Sequence, residues 1–378
     1  MLTKKIKKGH TFGDVLLLPN YSEVIPNDTV VKTKLTQKIS LNIPIISAAM
    51  DTVSETEMAI AMALNGGMAI IHKNLTIEQQ AKMIQKVKEH KVNHENFPIA
   101  NLDANGKLMV GGAISISNNS IERAQALIDA GVDVLSIDSA HGHSKNVVNR
   151  VIDIKQKFPN IQLIAGNIAT TKAAKALIKA GANALKVGIG PGSICTTRII
   201  SGVGVPQLTA IADVYKYAKK KNIPVVADGG IKYSGDITKA LAAGANCIMA
   251  GNLLAATDEA PGKIMTIDGK KYKSYVGMGS VAAMKRGSGD RYFQNHQDAA
   301  KLVPEGVEAC LAYKGSVNDI LYQLIGGIKS GMGYCGAKNI EQLQKKARFV
   351  KITISGFNES HVHKLDIIKQ APNYQGKV

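Results

Sequence analysis

The stretch Thr171-Lys-Ala-Ala-Lys-Ala-Leu-Ile-Lys-Ala-Gly-Ala-Asn-Ala-Leu-Lys-Val-Gly188 decides the fold. Its first ten residues repeat apolar side chains three and four apart, the spacing of one helical face. Gly181 after Ala180 suits a left-handed helix cap, and a strand-like run, Ala184 to Val187, begins at once. The same punctuation returns at Ala130-Gly131 and Ala243-Gly244. Working outward, the other strand-like runs are Ile43 to Ala48, Gly67 to His72, Met109 to Ile116, Val132 to Asp138, Ile161 to Gly166, Ile223 to Ala227 and Ala245 to Ala250. Most are continuously apolar, as strands buried on both faces of a parallel sheet are. Amphipathic stretches such as Ser120 to Asp129 lie between them. Eight strand–helix units predict an α/β fold, a (β/α)8 TIM barrel, in preference to a doubly wound sheet.

Two places break the rhythm. A short polar connection, His90 to Lys107, precedes the strand at Met109. After the eighth strand a long insertion, about 264–316, delays the helix at Val317 to Lys329. Excursions of that length are functional lids or exposed linkers, and a catalytic flap is the reading adopted here. Residues 1–378 are expected to form one catalytic barrel domain.

The net charge of +18 raises the possibility of nucleic-acid binding, but the lysines are spread over helices and aromatic residues make up only 4%. A base-stacking platform needs aromatics, so a lysine-rich surface with no nucleic-acid partner is expected. That surface is compatible with attraction for anionic nucleotides. No apolar run is long enough to span a bilayer, and the basic start MLTKKIKKGH lacks an apolar h-region. A cytoplasmic protein is expected. Cys195, Cys247, Cys310 and Cys335 form no C-x-x-C pair, which disfavours a zinc site or a disulfide framework.

Barrel enzymes build their sites from loops at the C-terminal ends of the strands. Here those loops are Gly188-Ile-Gly-Pro-Gly-Ser-Ile-Cys-Thr-Thr-Arg198, Asp228-Gly-Gly230 and Gly251-Asn252. Glycines let backbone amides approach an anion, so a phosphate site is expected there, with Ser193 adding a hydroxyl. Cys195 is the only cysteine on such a loop; a nucleophile and a structural thiol both fit its spacing. Asp138 ends the fourth strand, where a carboxylate can accept from ribose hydroxyls. His141 and His143 lack a third ligand. No G-x-G-x-x-G with a following acidic residue occurs, so a dinucleotide would not be held in Rossmann fashion.

Gly190-Pro-Gly-Ser-Ile-Cys-Thr-Thr-Arg198 followed by Gly202-Val-Gly-Val-Pro-Gln207 closely resembles the IMP dehydrogenase family. The resemblance extends over nearly the whole chain, through Ser47-Ala-Ala-Met-Asp-Thr-Val53, Ile137-Asp-Ser-Ala-His-Gly-His-Ser144, Ala165-Gly-Asn167, Ala227-Asp-Gly-Gly230, Gly277-Met-Gly-Ser280, Arg291-Tyr-Phe-Gln294 and Glu359-Ser-His361. It implies NAD-dependent oxidation of IMP to XMP, in guanine nucleotide biosynthesis, through a covalent bond to Cys195 that water then hydrolyses. Arg291 and Tyr292 would activate that water, with Thr197 and Glu305 as an auxiliary proton route. An arginine base needs its guanidine pKa depressed from above ~12, and without the resemblance a flap-anchoring ion pair is the simpler reading of Arg291.

The resemblance further implies that IMP is held by Met50, Ser193, Asp228, Gly229, Gly230, Gly251, Asn252, Tyr275, Met278, Gly279 and Glu305. NAD would be held by Asp138, Ser139, Ala140, Asn167, Gly188 and Gly190. A potassium ion would take backbone carbonyls of Gly190, Gly192 and Cys195, with Glu359, Ser360 and His361 of a neighbouring subunit in a homotetramer. Three departures stand out. Only about residues 91–98 bridge the point where most relatives insert a tandem CBS module, so purine-nucleotide regulation through that module should be absent. Phe12-Gly-Asp14 replaces the usual Phe-Asp-Asp. Val307-Glu-Ala-Cys-Leu-Ala312 stands where relatives carry Gly-Arg-Val-Pro. The nearest rival is GMP reductase, which deaminates GMP with NADPH; Val205, where the reductase has tyrosine, and Arg291-Tyr292 on a long flap favour the dehydrogenase. A non-catalytic nucleotide-binding protein is the other alternative.

Overall fold

The computed structural model describes residues 6–294, 298–365 and 367–374. Its eight central strands are β1 (Ile45–Ser47), β2 (Met68–Ile71), β3 (Gly111–Ile114), β4 (Val134–Ile137), β5 (Gln162–Ile168), β6 (Ala184–Val187), β7 (Val225–Asp228) and β8 (Cys247–Ala250). All neighbours pair in parallel and the ring closes, β8 on β1. Eight helices alternate with them: α1 (Thr56–Leu64), α2 (Ile77–Glu89), α3 (Ser120–Asp129), α4 (Lys145–Lys157), α5 (Thr171–Ala180), α6 (Gln207–Ala218), α7 (Ser234–Ala242) and α8 (Val317–Tyr334). The expected (β/α)8 TIM barrel is therefore the observed fold.

Local chemistry sets the element ends. The Thr170 hydroxyl accepts from the Ala173 amide at 3.3 Å to start α5, and Gly181 at φ 106° ends it. Ala173, Ala174 and Leu177 then lie buried on one face of α5, against the barrel. Strand alternation divides the core in two. Leu135, Leu163, Leu185 and Val225 face outward into the layer beneath the helices. Val134, Ile164, Ala184 and Val226 face the barrel interior, which Leu35, Ile39 and Leu41 help fill. Cys247 belongs to that interior.

Two features were not legible in the sequence. The insertion after β8 carries its own antiparallel sheet, Met265–Ile267, Lys270–Val276 and Glu308–Ala312. Its alternation is masked because Lys273 points inward, where its ammonium donates to the carbonyls of Thr257, Asp258 and Ala260 at 2.8, 3.2 and 2.7 Å. The two ends of the chain also pair, Val15–Leu17 against Phe349–Lys351. Between α2 and β3 the connection is short and contains no helix or strand. Among the described residues, no helix is long and apolar enough to cross a membrane.

Candidate active site

The loops after β6, β7 and β8 meet the flap around a cavity of 390 Å³ at the C-terminal rim of the barrel. Met50, Ser193, Cys195, Asp228, Gly229, Gly230, Gly251, Asn252, Tyr275 and Met278 all line it. The Cys195 thiol donates to the Thr197 hydroxyl at 3.1 Å. Its loop is fastened to the flap, since the amides of Thr196 and Val307 donate to the carbonyls of Glu305 and Ile194 at 2.9 and 3.2 Å. Gly279 lies against this root, where a Cβ would come within 2.8 Å of the Tyr292 ring. Glu305 thus sits next to the cysteine loop through its backbone, though its side chain is not among the groups lining the cavity.

Opposite the thiol, Asp228 ends β7. It accepts from the Asn167 amide nitrogen at 2.7 Å and lies 3.7 Å from the Lys186 ammonium. The close approach of β6 and β7 here requires a glycine: a Cβ on Gly188, whose φ is +153°, would come within 2.0 Å of the Asp228 carbonyl. Gln207 fixes the same corner by donating to the carbonyls of Val187 and Asp228 at 2.8 and 3.0 Å. Tyr275 lines the same cavity, its hydroxyl 3.9 Å from the Met50 sulfur. Burial pushes the Tyr275 phenol up to about 12, so it stays a hydrogen-bond donor across the neutral range.

The flap tip reaches the cavity as well. Arg291 forms an ion pair with Asp138, and its carbonyl accepts from the Ala140 amide at 3.0 Å. Lys186 holds the same Asp138 carboxylate at 2.7 Å. Burial alone would raise the Asp138 pKa, but the two cations outweigh it and hold the carboxyl far below the usual range. Burial likewise disfavours the charged form of Arg291, yet Asp138 beside it drives the guanidinium pKa upward. The sequence reading required a depressed guanidine; in this conformation Arg291 is instead a flap-anchoring cation. Tyr292 lines the cavity, its phenol raised by burial to about 12. Two further pairs dock the tip: Lys73 with Asp290, and Arg286 with Asp51 at 2.8 Å.

Of the residues assigned to NAD, Asn167, Gly188 and Gly190 line the cavity and Asp138 adjoins it through Arg291. Ser139 lies beneath, its carbonyl accepting from the Asn167 amide at 2.8 Å. Asp138 Oδ2 and Asn167 Oδ1 are buried without a partner among the described residues, acceptors suited to a ribose hydroxyl or an amide. The potassium set is divided. Gly190, Gly192 and Cys195 share one loop, whereas Ser360 and His361 line a second groove with Pro191 and Tyr233 of their own chain. Glu359 ends the short helix Ile354–Glu359. The His141 and His143 rings stand 6.5 Å apart, and among the described residues no three His, Cys, Asp or Glu side chains gather as metal ligands. Sequence reasoning missed the roles of Lys186, whose only signal was a charged side chain in an apolar barrel strand, and of Gln207, which opens α6 and had stood out only as the end of the Gly202–Gln207 motif.

Residues 9–363 match the model of the IMP dehydrogenase / GMP reductase domain. The chain belongs to the IMP dehydrogenase / GMP reductase family. Relatives include the inosine-5'-monophosphate dehydrogenase of Cryptosporidium parvum, 51% identical over 99% of this chain and 100% of the relative. The enzyme of the same name from Borreliella burgdorferi is 51% identical over 96% and 98% of the two chains. That of Aquifex aeolicus is 43% identical, covering 98% of each chain over 484 aligned positions, more than this chain's own length. Segments of the quoted motifs, Gly190 to Cys195 and Asp228 to Gly230, line the cavity above.

Proposed function

We propose that the protein oxidises IMP to XMP with NAD as hydride acceptor, the step that commits inosinate to guanine nucleotides. The observation that carries this reading is the placement of the Cys195 thiol, bonded to Thr197, across one cavity from Asp228 and the glycine loops. Asp228 suits the ribose hydroxyls of IMP. Ser193, Gly230, Gly251, Asn252 and Tyr275 offer amides and hydroxyls to its phosphate. Glu305 and the Met278–Gly279 segment belong to the purine edge.

In this reading the Cys195 thiol gives up its proton to solvent and its sulfur bonds to C2 of the purine, opening the C2–N3 double bond. The C2 hydrogen departs with its electron pair to NAD, leaving a thioimidate on Cys195. Water then adds at C2, gives up a proton and releases XMP and the thiol. NAD, when bound, supplies only the hydride acceptor. The Asp138 and Asn167 acceptors fit its ribose and amide. Arg291 is docked on Asp138 through Oδ1 in the structure, so the flap tip and the cofactor ribose compete for the space around one carboxylate. This competition supports the flap taking the cofactor's place before hydrolysis. Arg291 and Tyr292 then face the water's side, with Thr197 and Glu305 as a second proton route. Paired with Asp138, Arg291 stays protonated, so a base role asks for that pair to loosen first.

Neutral carbonyls at Gly190, Gly192 and Cys195 suit a weakly hydrated monovalent cation. Potassium there, completed by Glu359, Ser360 and His361 of a neighbouring subunit in a homotetramer, would brace the nucleophile's loop. We read the short connection at about 91–98 as the point where longer relatives carry their CBS module, and the protein as cytoplasmic.

The test is NADH absorbance with purified protein, IMP, NAD and potassium. Steady NADH formation is expected. No NADH, with NADPH consumed on adding GMP, would assign the reductase instead.

A further inference from the structure

Strand alternation places residues 184 and 186 of β6, 226 and 228 of β7, and 134 and 136 of β4 on the interior face, with Asp138 next in the β4 series. Ala184, Val226 and Val134 at the lower level are apolar. The level above is ionic: Lys186 lies 2.7 Å from Asp138 and 3.7 Å from Asp228, with the Lys186 and Asp138 side chains each 2% exposed. Strands β5 and β6 approach closely beside it: a Cβ on Gly166 would come within 2.5 Å of the Lys186 carbonyl and 2.7 Å of its Cβ, so glycine is needed there. A lysine fully enclosed in a barrel interior is costly unless its hydrogen bonds are needed. Its two partners are the carboxylates that face the two nucleotides.

We propose that Lys186 is a positioning residue shared by both nucleotide sites, aiming Asp228 at the substrate ribose and keeping Asp138 paired whenever Arg291 swings away with the flap. This rests on the reading that Asp228 serves IMP and Asp138 serves NAD. With the flap docked, Arg291 and Lys186 balance Asp138 and Asp228. With the flap withdrawn, Lys186 is the one cation left in contact with either carboxylate among the described residues. The cofactor ribose therefore meets a carboxylate that is already oriented. Lys186 touches neither reacting atom, so it acts through the two carboxylates.

Steady-state kinetics and equilibrium dialysis with labelled IMP test this on the full chain. Lys186→Met should raise KM for IMP and for NAD by about tenfold or more each, the scale of a lost charged hydrogen bond, with a smaller change in kcat. Lys186→Arg should recover most of both. Asp138→Asn should raise KM for NAD and leave IMP binding within about twofold. If Lys186→Met does not fold, Asp138→Asn/Lys186→Met keeps the docked site charge-balanced and carries the test. It should bind IMP about tenfold more weakly than Asp138→Asn alone. Equal IMP binding by those two variants, or unchanged KM values in Lys186→Met, overturns the proposal. Absence of NADH formation by the unaltered protein would instead strike the functional reading, while dialysis still reads the Lys186–Asp228 contact.

Discussion

At the residue scale, the site turns on one thiol and the phenols around it. Cys195→Ala should lower kcat by about a thousandfold or more, while IMP still binds within a few-fold, read by dialysis. Retained turnover would remove Cys195 from its role. Tyr275 offers a second check. Its folded pKa, raised by burial to about 12, exceeds the ordinary value near 10, so the folded state favours the neutral phenol. Its contribution to stability is full below pH 10 and is lost as pH rises toward 12, amounting to about 2–3 kcal/mol. Melting temperature should therefore fall over that window, and Tyr275→Phe should flatten the fall. The loop glycines, Ser193, Cys195 and Asp228 were legible because a barrel reserves its strand ends for chemistry. Lys186 was not. A lysine inside an apolar run shows neither its direction nor its partners until β4, β6 and β7 are wrapped around one axis.

At the element scale, the flap is the part that sequence described least. Its length and its Arg291-Tyr292 pair were visible, but its docking was not. Lys73 and Asp290 are 217 positions apart, and Arg286 and Asp51 are 235 apart. No local pattern links such partners. Both pairs belong to the docked tip, so cutting one should shift the flap toward the cofactor-competent arrangement. Lys73→Met removes a side chain only 4% exposed, and a partly buried pair of this kind is worth about 1 kcal/mol or more. The variant should bind NAD more tightly and hydrolyse more slowly. Mass spectrometry of quenched turnover mixtures should then find several-fold more covalent adduct on the peptide spanning Gly188 to Arg198. An unchanged adduct fraction would show that the Lys73–Asp290 pair does not govern docking.

At the scale of the whole molecule, the barrel was legible because parallel strands buried on both faces announce themselves as apolar runs. The pairing of the two chain ends was not, since each partner strand has only three residues. These ends are tied down firmly. The Ile352 amide donates to the Asp14 carbonyl at 2.9 Å, the Lys239 ammonium to the Phe12 carbonyl at 2.9 Å, and Phe12 is 4% exposed. Phe12→Ala should cost about 3–5 kcal/mol, read as a lower urea midpoint with an unchanged slope. A shift below about 1 kcal/mol would mean the N-terminal segment is not part of the cooperative fold.

The fastening of Ile194 and Thr196 to Val307 and Glu305 bears on what such a machine can move. A lid hinged at its base would tug on the sulfur with every stroke. Here the base is sewn to the nucleophile's own loop, and the Gly277 amide adds a further stitch to the Val307 carbonyl at 2.9 Å. Travel is thereby confined to the segment between Ser280 and Glu305. Hydrogen exchange should find the Thr196, Gly277 and Val307 amides slow in every ligation state, while the Ala140 amide, which Arg291 covers, quickens each time the lid lifts.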